Sequence, residues 1–326
     1  MEEREEREET AYRAALMHYV QGETMEAIAR KLKVSRSTVS RLIKDARNRG
    51  YIQFSLQPPN SATSALRTEL SKRFGVQVQV VPIAPRSGGK QRLTQVAAFA
   101  GNVIAEAVFP DIVIGVAWGN TISAVAENLV PKPVMGATVV QLNGAANVLS
   151  SGILYAGTIM EAFGRAFRAS VQHFPVPTFF DFPDTKVALW RERSIQSVLE
   201  VQKQVDIAIF GVGTTTGSQL SMVYSGGYIV PEEMQQQKDQ GVVGDVCTVL
   251  LRADGSWEDL EVNQRASGPT PRDLACIPRR ICIVSGVDKA VPLLAALRAG
   301  VATDLIVDED CAARLLKISE EQTNAS

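Results

Sequence analysis

Short apolar runs rich in Val and Ile recur along the chain from residue 65 onward, and helical patterns separate them. The runs are VQVQVV (76–81), DIVIGV (111–116), ATVVQL (137–142), VDIAIFGV (205–212), RICIVSG (280–286) and DLIVD (304–308). Residues 92–107 and 291–297 carry the helical pattern. This alternation is typical of a parallel sheet with helices on both faces. We therefore predict an α/β domain for the larger part of the chain.

The composition agrees with a globular protein. The chain has 326 residues, enough for two domains, and 45% of them are hydrophobic while 21% are charged. No apolar run reaches the roughly 18 residues needed to cross a bilayer. The N-terminus, MEEREEREE, is unlike a signal peptide. We expect a cytoplasmic protein with no membrane partner.

Cysteine and histidine are too sparse and too scattered for a metal or disulfide framework. The four cysteines are Cys247, Cys276, Cys282 and Cys311, without a CxxC pair, and the histidines are His18 and His173. This spacing favours neither zinc nor a Ser/His or Cys/His catalytic arrangement. We expect no metal and no cofactor, and we interpret the cysteines as small buried apolar residues.

A basic block near the N-terminus stands out against a net charge of −1. Residues 30–49 contain eight basic side chains and one acid, whereas residues 1–29 contain three arginines and eight acids. A local positive charge of this kind indicates a polyanionic partner.

The basic block has the pattern of a helix-turn-helix. In TMEAIARKLKVSRSTVSRLIKDA (24–46), apolar residues fall at helical spacing on both sides of a break at Lys33 and Val34. Ser35 can cap the second helix, and residues 10–20 supply a supporting helix. Lys33 occupies the turn position that glycine usually takes, so its backbone must become left-handed or bend differently.

In this motif the second helix enters the major groove of double-stranded DNA. The side chains that we expect to face DNA are Ser35, Arg36, Ser37, Thr38, Arg41 and Lys44. Arg36 and Arg41 are suited to guanine, because a guanidinium can bind O6 and N7 together. Lys44 is better suited to phosphate. Two-fold symmetric half-sites would require at least a dimer on a palindromic operator.

A polar, proline-containing stretch, QPPNS (57–61), separates the two patterns. We therefore divide the chain into a helix-turn-helix domain (1–55), a linker (56–64) and an α/β effector-binding and oligomerisation domain (65–326).

Glycine-containing loops follow three of the predicted strands, at the edge of a parallel sheet where ligands bind. They are GVAWGNT (115–121), GVGTTTGS (211–218) and SGVDKA (285–290), and Lys289 adds a positive charge to the third. Glycines at Gly119, Gly211 and Gly213 let the backbone approach a ligand, and helix N-termini favour an anion.

The loops match neither the GxGxxG nor the GxxxxGK pattern, which disfavours dinucleotides and nucleoside triphosphates. Short polar side chains that bind hydroxyls are present instead: Asn120, Thr121, Asn143, Thr214 and Asp245. The residues therefore favour a small anionic or polyhydroxylated ligand, such as a phosphorylated sugar.

The chain resembles the SorC family of bacterial transcriptional regulators, which includes sugar-responsive regulators of deoxyribonucleoside and glycolytic genes. The segments that carry the resemblance are SRSTVSRLIKDARNRGYI, GVAWGNT, QLNGA, GVVGDV and IVSGVDKAVPLLAALRAGVATDLIVDEDCAARLL. It implies an N-terminal all-α helix-turn-helix domain plus a Rossmann-like, phosphosugar isomerase-like α/β effector domain. It further implies a sugar, polyol or sugar-phosphate effector and a dimer or tetramer.

The resemblance also assigns residues. Trp118, Gly119, Asn120 and Thr121 match the first effector loop, and Asn143 and Gly144 match the second. Asp245 matches a position expected to bind sugar hydroxyls, Lys289 one that pairs with a phosphate or hydroxyl, and Asp308 lies in a matching block. The second loop lacks the Arg or Lys that some members use, which disfavours a bisphosphate or a Schiff base.

An alternative remains open, namely an isomerase or deaminase-type enzyme that carries a DNA-binding segment. Such an enzyme needs a positioned base and a partner acid. Asp245 could serve as the base, but no histidine stands near it in the sequence. We favour the regulator and expect no enzymatic activity.

Overall fold

The computed structural model describes residues 2–49, 51–52, 62–84, 86–147, 151–217 and 220–323. The chain divides into two compact units, Met1–Pro59 and Asn60–Ser326. Of the interval predicted as a linker, residues 62–64 are helical, and 56–61 lie outside the described residues. Within the described ranges, no helix is long and apolar enough to cross a membrane.

The first unit is helical. Its helices are α1 (Glu2–Ala15), which continues as a π-helical turn over Leu16–Val20, α2 (Met25–Leu32) and α3 (Arg36–Asn48). The supporting helix thus begins earlier than the sequence indicated. Ala14 of α1, Ile28 of α2, and Val39 and Ile43 of α3 meet in one small core, because each helix turns its apolar stripe inward.

Lys33 joins the two helices of the motif in a left-handed conformation, with φ 55° and ψ 41°. The Val34 amide then donates to the carbonyl of Ala29 at 3.0 Å, which ends α2. Lys33 therefore adopts the left-handed conformation expected at this turn position, although it is not glycine.

The second unit is built on a mainly parallel sheet. Its described strands are β1 (Gln77–Val81), β2 (Val113–Val116), β3 (Thr138–Gln141), β4 (Ser170–Gln172), β5 (Ile207–Thr214), β6 (Val242–Val246), β7 (Val249–Arg252), β8 (Arg279–Val284) and β9 (Asp304–Asp308). The parallel part has the order β1-β9-β8-β5-β2-β3-β4. The β6–β7 hairpin pairs antiparallel with the end of β5.

Helices cover both faces of this sheet. The described helices of this unit are α4 (Ala62–Phe74), α5 (Gly89–Ala107), α6 (Asn120–Glu127), α7 (Ile153–Phe167), α8 (Pro183–Leu189), α9 (Arg193–Gln202), α10 (Met222–Ser225), α11 (Pro231–Asp239), α12 (Glu261–Arg265), α13 (Pro271–Ala275), α14 (Ala290–Arg298) and α15 (Glu309–Thr323). A 3-10 turn over Val287–Lys289 precedes α14.

Alternating side chains of β5 separate the two cores. Ala208 and Phe210 pack with α4, α9, α14 and α15, whereas Ile207 and Ile209 pack with α5, α6 and α7. This arrangement follows from the period of two along a strand that is buried on both faces. It confirms the predicted fold class, and each predicted apolar run overlaps a strand.

One prediction about the core was wrong. Cys247, Cys282 and Cys311 are buried, as expected for small apolar residues, but Cys276 is exposed at the end of α13. It lies on the outer side of a short helix, and its Sγ donates weakly to the Arg272 carbonyl at 3.5 Å.

Candidate functional site

A partly enclosed cavity lies where β2, β5 and β8 end, and residues of all three predicted loops line it. The predicted effector residues that line it are Trp118, Gly119, Asn120, Thr121, Asn143, Gly211, Gly213, Asp245 and Lys289. The sheet brings them together because the carboxyl ends of neighbouring parallel strands meet at one edge.

Gly119 starts α6 at one wall of the cavity. Its φ of 149° and ψ of 166° form a conformation that is essentially restricted to glycine, and no atom lies within 4 Å of the position a Cβ would take. No described side chain caps this helix. The first amides of α6 are therefore available to a ligand, with the positive end of the helix dipole behind them.

Lys289 reaches the same wall from the opposite loop. Its Nζ lies 3.2 Å from Oγ1 of Thr121, the second residue of α6. Burial lowers the pKa of the Lys289 ammonium, and the nearby Asp245 carboxylate opposes that shift. A cation thus stands beside free helix amides, a combination that suits an anionic group or hydroxyl oxygens.

Asp245 occupies the other side of the cavity, on β6 opposite Gly213 of β5. The close approach requires glycine, because a Cβ at position 213 would lie 1.9 Å from Asp245 Oδ1. Burial raises the pKa of Asp245 to about 6, against opposing hydrogen bonds from the Ser221 hydroxyl and the Thr248 amide and the charge of Lys289. Among the described residues, Oδ1 has no hydrogen-bond partner.

Asn143 presents an unpaired amide in the same cavity. The residue is only 1% exposed, yet neither its Oδ1 nor its Nδ2 has a partner in the part of the chain that the structure describes. Buried polar atoms are nearly always hydrogen-bonded, so an orphaned donor and acceptor side by side indicate a group that arrives from outside. A hydroxyl, which both donates and accepts, matches the pair.

Three predicted effector residues do not line the cavity. Gly144 lies behind it, and its carbonyl accepts from Trp118 Nε1 at 2.8 Å and from Thr178 Oγ1 at 2.9 Å. Thr214 is buried and its hydroxyl donates to the Thr216 carbonyl at 2.9 Å. Ser218, which ends the predicted loop GVGTTTGS (211–218) but is not one of these three residues, lies outside the described residues.

Asp308 is the third predicted effector residue that does not line the cavity. Both oxygens of its carboxylate accept hydrogen bonds from the protein. It accepts from Arg92 Nη1 at 2.8 Å, from the Gly286 amide at 2.6 Å and from the Cys311 amide at 3.0 Å. With no exposed surface, it ties the end of β9 to the third loop and caps α15. Its location indicates a structural role in place of a ligand contact.

Trp118 forms one side wall, and its indole is held by neighbours. Its ring stacks on Tyr228 with centroids 5.1 Å apart, while Tyr155 meets it edge-on at 6.2 Å. Tyr155 Oη also donates to Asn120 Oδ1 at 3.4 Å. The Trp118 indole is therefore held by contacts on two sides, and its N–H already donates to the Gly144 carbonyl.

In the helical unit, the predicted DNA-facing residues lie on one face of α3. Arg36, Ser37, Arg41 and Lys44 are exposed together with Ser35, while Thr38 is half-buried. Ser35 caps α3, with its Oγ accepting from the Thr38 amide at 3.1 Å. The opposite face is buried in the helical core. The face is thus both polar and held by a packed scaffold.

Comparison with known proteins matches both units. Residues 59–317 match the family described as "Putative sugar-binding domain", and residues 6–54 match the family described as "Homeodomain-like domain". The first match covers most of the chain. The protein belongs to the SorC family of sugar-binding transcriptional regulators.

Characterised relatives of this SorC-family regulator align along nearly their whole length. The deoxyribonucleoside regulator of Bacillus subtilis strain 168 is 30% identical over 311 residues, which are 95% of this chain and 98% of that protein. The sorbitol operon regulator of Klebsiella pneumoniae is 22% identical over 309 residues, 93% of this chain and 96% of that protein.

Solved structures agree. A domain of a "possible sugar-binding transcriptional regulator" from Arthrobacter aurescens TC1 is 43% identical, with a TM-score of 0.74, and covers 80% of this chain and 100% of its own. The full-length sorbitol operon regulator from Klebsiella pneumoniae has a TM-score of 0.77 at 20% identity, covering 94% and 97%. The latter supports the fold alone. The SorC-family protein is thus a DNA-binding transcriptional regulator with a sugar-binding domain.

Sequence reasoning missed part of the cavity wall of this regulator. Leu220, Ser221 and Met222, around the start of α10, line the cavity, as do Cys247 and Thr248 in the β6–β7 turn. Both turn residues have positive φ, 48° and 73°, although neither is Gly, Asn or Asp. The usual composition signal of a two-residue hairpin was therefore absent.

Proposed function

We propose that a small polyhydroxylated ligand in the strand-end cavity controls the affinity of this regulator for its operator. The buried, unpaired amide of Asn143 carries the proposal, since the folded chain leaves both of its polar atoms without partners. The free Asp245 Oδ1 in the same cavity supports it. Binding shifts the balance between DNA-competent and DNA-incompetent states by the ligand's difference in affinity for the two.

The charges in the cavity favour a sugar, a polyol or a sugar monophosphate. Lys289 is the cation among the described lining residues, and Asp245 is the carboxylate. Asn143 and Asp245 would bind hydroxyls, while Lys289, Thr121 and the first amides of α6 would hold a phosphate or a terminal hydroxyl. A bisphosphate would bring more negative charge than one lysine can match.

On the DNA side, we propose that α3 lies in the major groove. Arg36 and Arg41 would read guanine, Ser35, Ser37 and Thr38 would contact nearby base edges or phosphates, and Lys44 would bind phosphate. Because one motif reads one half-site, the regulator would act as at least a dimer on a palindrome, in the cytoplasm where bacterial DNA lies. Light scattering at micromolar concentration tests this, and a monomer would contradict it.

We further propose that the cavity senses its ligand without converting it. An aldose–ketose isomerase needs a base and a partner acid, and the described lining residues include no histidine. Steady-state assays with a panel of sugar phosphates test this proposal. Turnover that Asp245→Asn abolishes would overturn it.

Thermal unfolding of the full chain against sugars, polyols and their phosphates tests the ligand class. A ligand that binds only the native state stabilises it by about 2.7 kcal/mol at 100 times its dissociation constant. The same hit should lose most of its effect in Asn143→Leu, which cannot form hydrogen bonds, and should keep it in an exposed control, Gln235→Leu. A panel without any stabilising compound would contradict the proposal.

A further inference from the structure

Glu26 and Arg36 form an ion pair between the two helices of the DNA-binding motif. Arg36 is the first residue of α3, and its Nε lies 2.9 Å from Oε1 of Glu26 in the first turn of α2. Both side chains are exposed, Arg36 at 70% and Glu26 at 58%. An acid beside a predicted DNA-facing residue is unexpected, because a negative charge there weakens the attraction to DNA phosphates.

The contact leaves the reading edge of the guanidinium available. A guanidinium has five N–H donors in a fixed fork, and the contact that joins it to Glu26 is an ion pair at Nε. The two Nη groups can then form the pair of parallel hydrogen bonds that guanine O6 and N7 accept. An arginine without such a partner has several rotatable bonds to order before it can bind a base.

We propose that Glu26 is a positioning residue that holds Arg36 for guanine and lowers the affinity of the regulator for DNA of arbitrary sequence. This inference rests on the proposed role of Arg36 in base reading. In water an exposed ion pair is weak, but it strengthens once an interface excludes solvent. The carboxylate also repels phosphates and occupies an arginine that could otherwise bind one, and both effects reduce sequence-independent affinity.

Arg41 shows how a neutral partner differs. Its Nε donates to the Ser37 carbonyl at 3.4 Å, a longer contact with an uncharged oxygen of its own helix. Of these two arginine contacts, only that of Arg36 is made to a side chain, so a single substitution at Glu26 can remove it.

The experiment selects binding sites from a pool of randomised DNA duplexes with the full-length regulator. The variants are Glu26→Gln, Arg36→Ala and a control, Glu9→Gln, which removes the same charge from an exposed position of α1. Affinity for a duplex of unrelated sequence is then measured between low and moderate salt. Thermal unfolding verifies that each variant is folded.

Glu26→Gln should lower the preference for guanine at the Arg36-dependent position by about five-fold, the low end of what one misread base pair costs. Its affinity for unrelated DNA should rise, and the salt slope should steepen by about 1, equivalent to one added phosphate contact. Glu9→Gln should change neither the guanine preference nor the salt slope by this much.

The outcomes separate this inference from the proposed function. If Arg36→Ala loses the guanine preference and Glu26→Gln keeps both preference and salt slope, Arg36 reads DNA and the role of Glu26 is overturned. If Arg36→Ala keeps the preference, the assignment of Arg36 and the inference that rests on it both fail. Failure of the wild type to enrich any site would overturn sequence-specific binding itself.

Discussion

Lys289 Nζ lies 3.2 Å from Thr121 Oγ1, and this contact joins the loop after β8 to the start of α6. The strand between them, β5, contributes Gly211, where an added Cβ would lie 3.4 Å from Thr121 Cβ and 3.3 Å from the Ile283 carbonyl. The three strand ends therefore approach so closely that a side chain at position 211 would crowd the Ile283 carbonyl. Because an ammonium has three donors, Lys289 can bind a ligand without leaving Thr121.

Replacing Lys289 with Met should weaken ligand binding while leaving DNA binding intact. The substitution keeps the apolar stem and removes the charged donor, whose loss costs about 10- to 100-fold in affinity. Calorimetric titration of a compound found in the thermal panel measures the effect. Lys203→Met is the control, because Lys203 is exposed and pairs with Glu200 at 2.6 Å. Equal affinity in the wild type and in Lys289→Met would remove Lys289 from the site.

The stability of the ligand-free protein should fall as the pH rises through about 6, owing to Asp245. Burial raises the pKa of this carboxyl from 3.8 to about 6. The native state therefore binds more protons than the unfolded state, so the stabilisation is complete below about pH 4 and is lost as the pH passes the native value. Asp245→Asn, which stays neutral, should exceed the wild type by up to about 3 kcal/mol at pH 8.

Urea unfolding of both proteins between pH 4 and pH 8 measures this difference. The advantage of Asp245→Asn over the wild type should shrink toward pH 4, whereas the exposed control Asp181→Asn should show no such trend. A difference that is constant across the pH range would mean that Asp245 does not titrate as a buried carboxyl.

The parallel sheet and the helix-turn-helix could be predicted because each rests on a local pattern. Apolar runs and helical spacing are properties of neighbouring residues, and they placed the strand ends that carry the cavity. The β6–β7 hairpin could not be predicted from a local pattern, because Cys247 and Thr248 adopt positive φ although they are not residues typical of such a turn. Strand β4 spans three residues, too few for a pattern.

Side-chain roles in the site depended on contacts that no local pattern encodes. Asp308 is the last residue of a strand and resembles a ligand-facing acid, yet Arg92, distant by 216 positions, binds it. Gly213 was expected to face a ligand, and it does line the cavity, but its lack of a Cβ also admits Asp245. Sequence therefore located the edge of the sheet that matters, while packing decided which groups remain free there.

The Asp308 carboxylate should matter for stability. Asp308→Asn replaces one acceptor oxygen with an NH2 donor, which would face either the Gly286 amide or the Arg92 and Cys311 donors, and it removes the buried negative charge that pairs with Arg92. Loss of one member of a buried pair costs about 3–5 kcal/mol. Asp310→Asn is a matched control, because it removes an exposed partner of the same arginine and should cost less than about 1 kcal/mol. Chemical denaturation of both variants at neutral pH measures these costs, and similar values for the two would contradict the structural role.

Gly119 and Gly88 offer the sharpest test of the first effector loop, because both precede a helix and both have open space where a Cβ would lie. They differ in backbone conformation: φ is −69° at Gly88 and 149° at Gly119. Alanine fits the first without strain, whereas the second costs of order 1–3 kcal/mol or forces the loop to move. Gly119→Ala should therefore lower the free energy of unfolding by about that amount and weaken the thermal response to ligand, since the first amides of α6 would shift. Gly88→Ala should leave both nearly unchanged, and an equal loss in the two variants would show that glycine at 119 has no special backbone role.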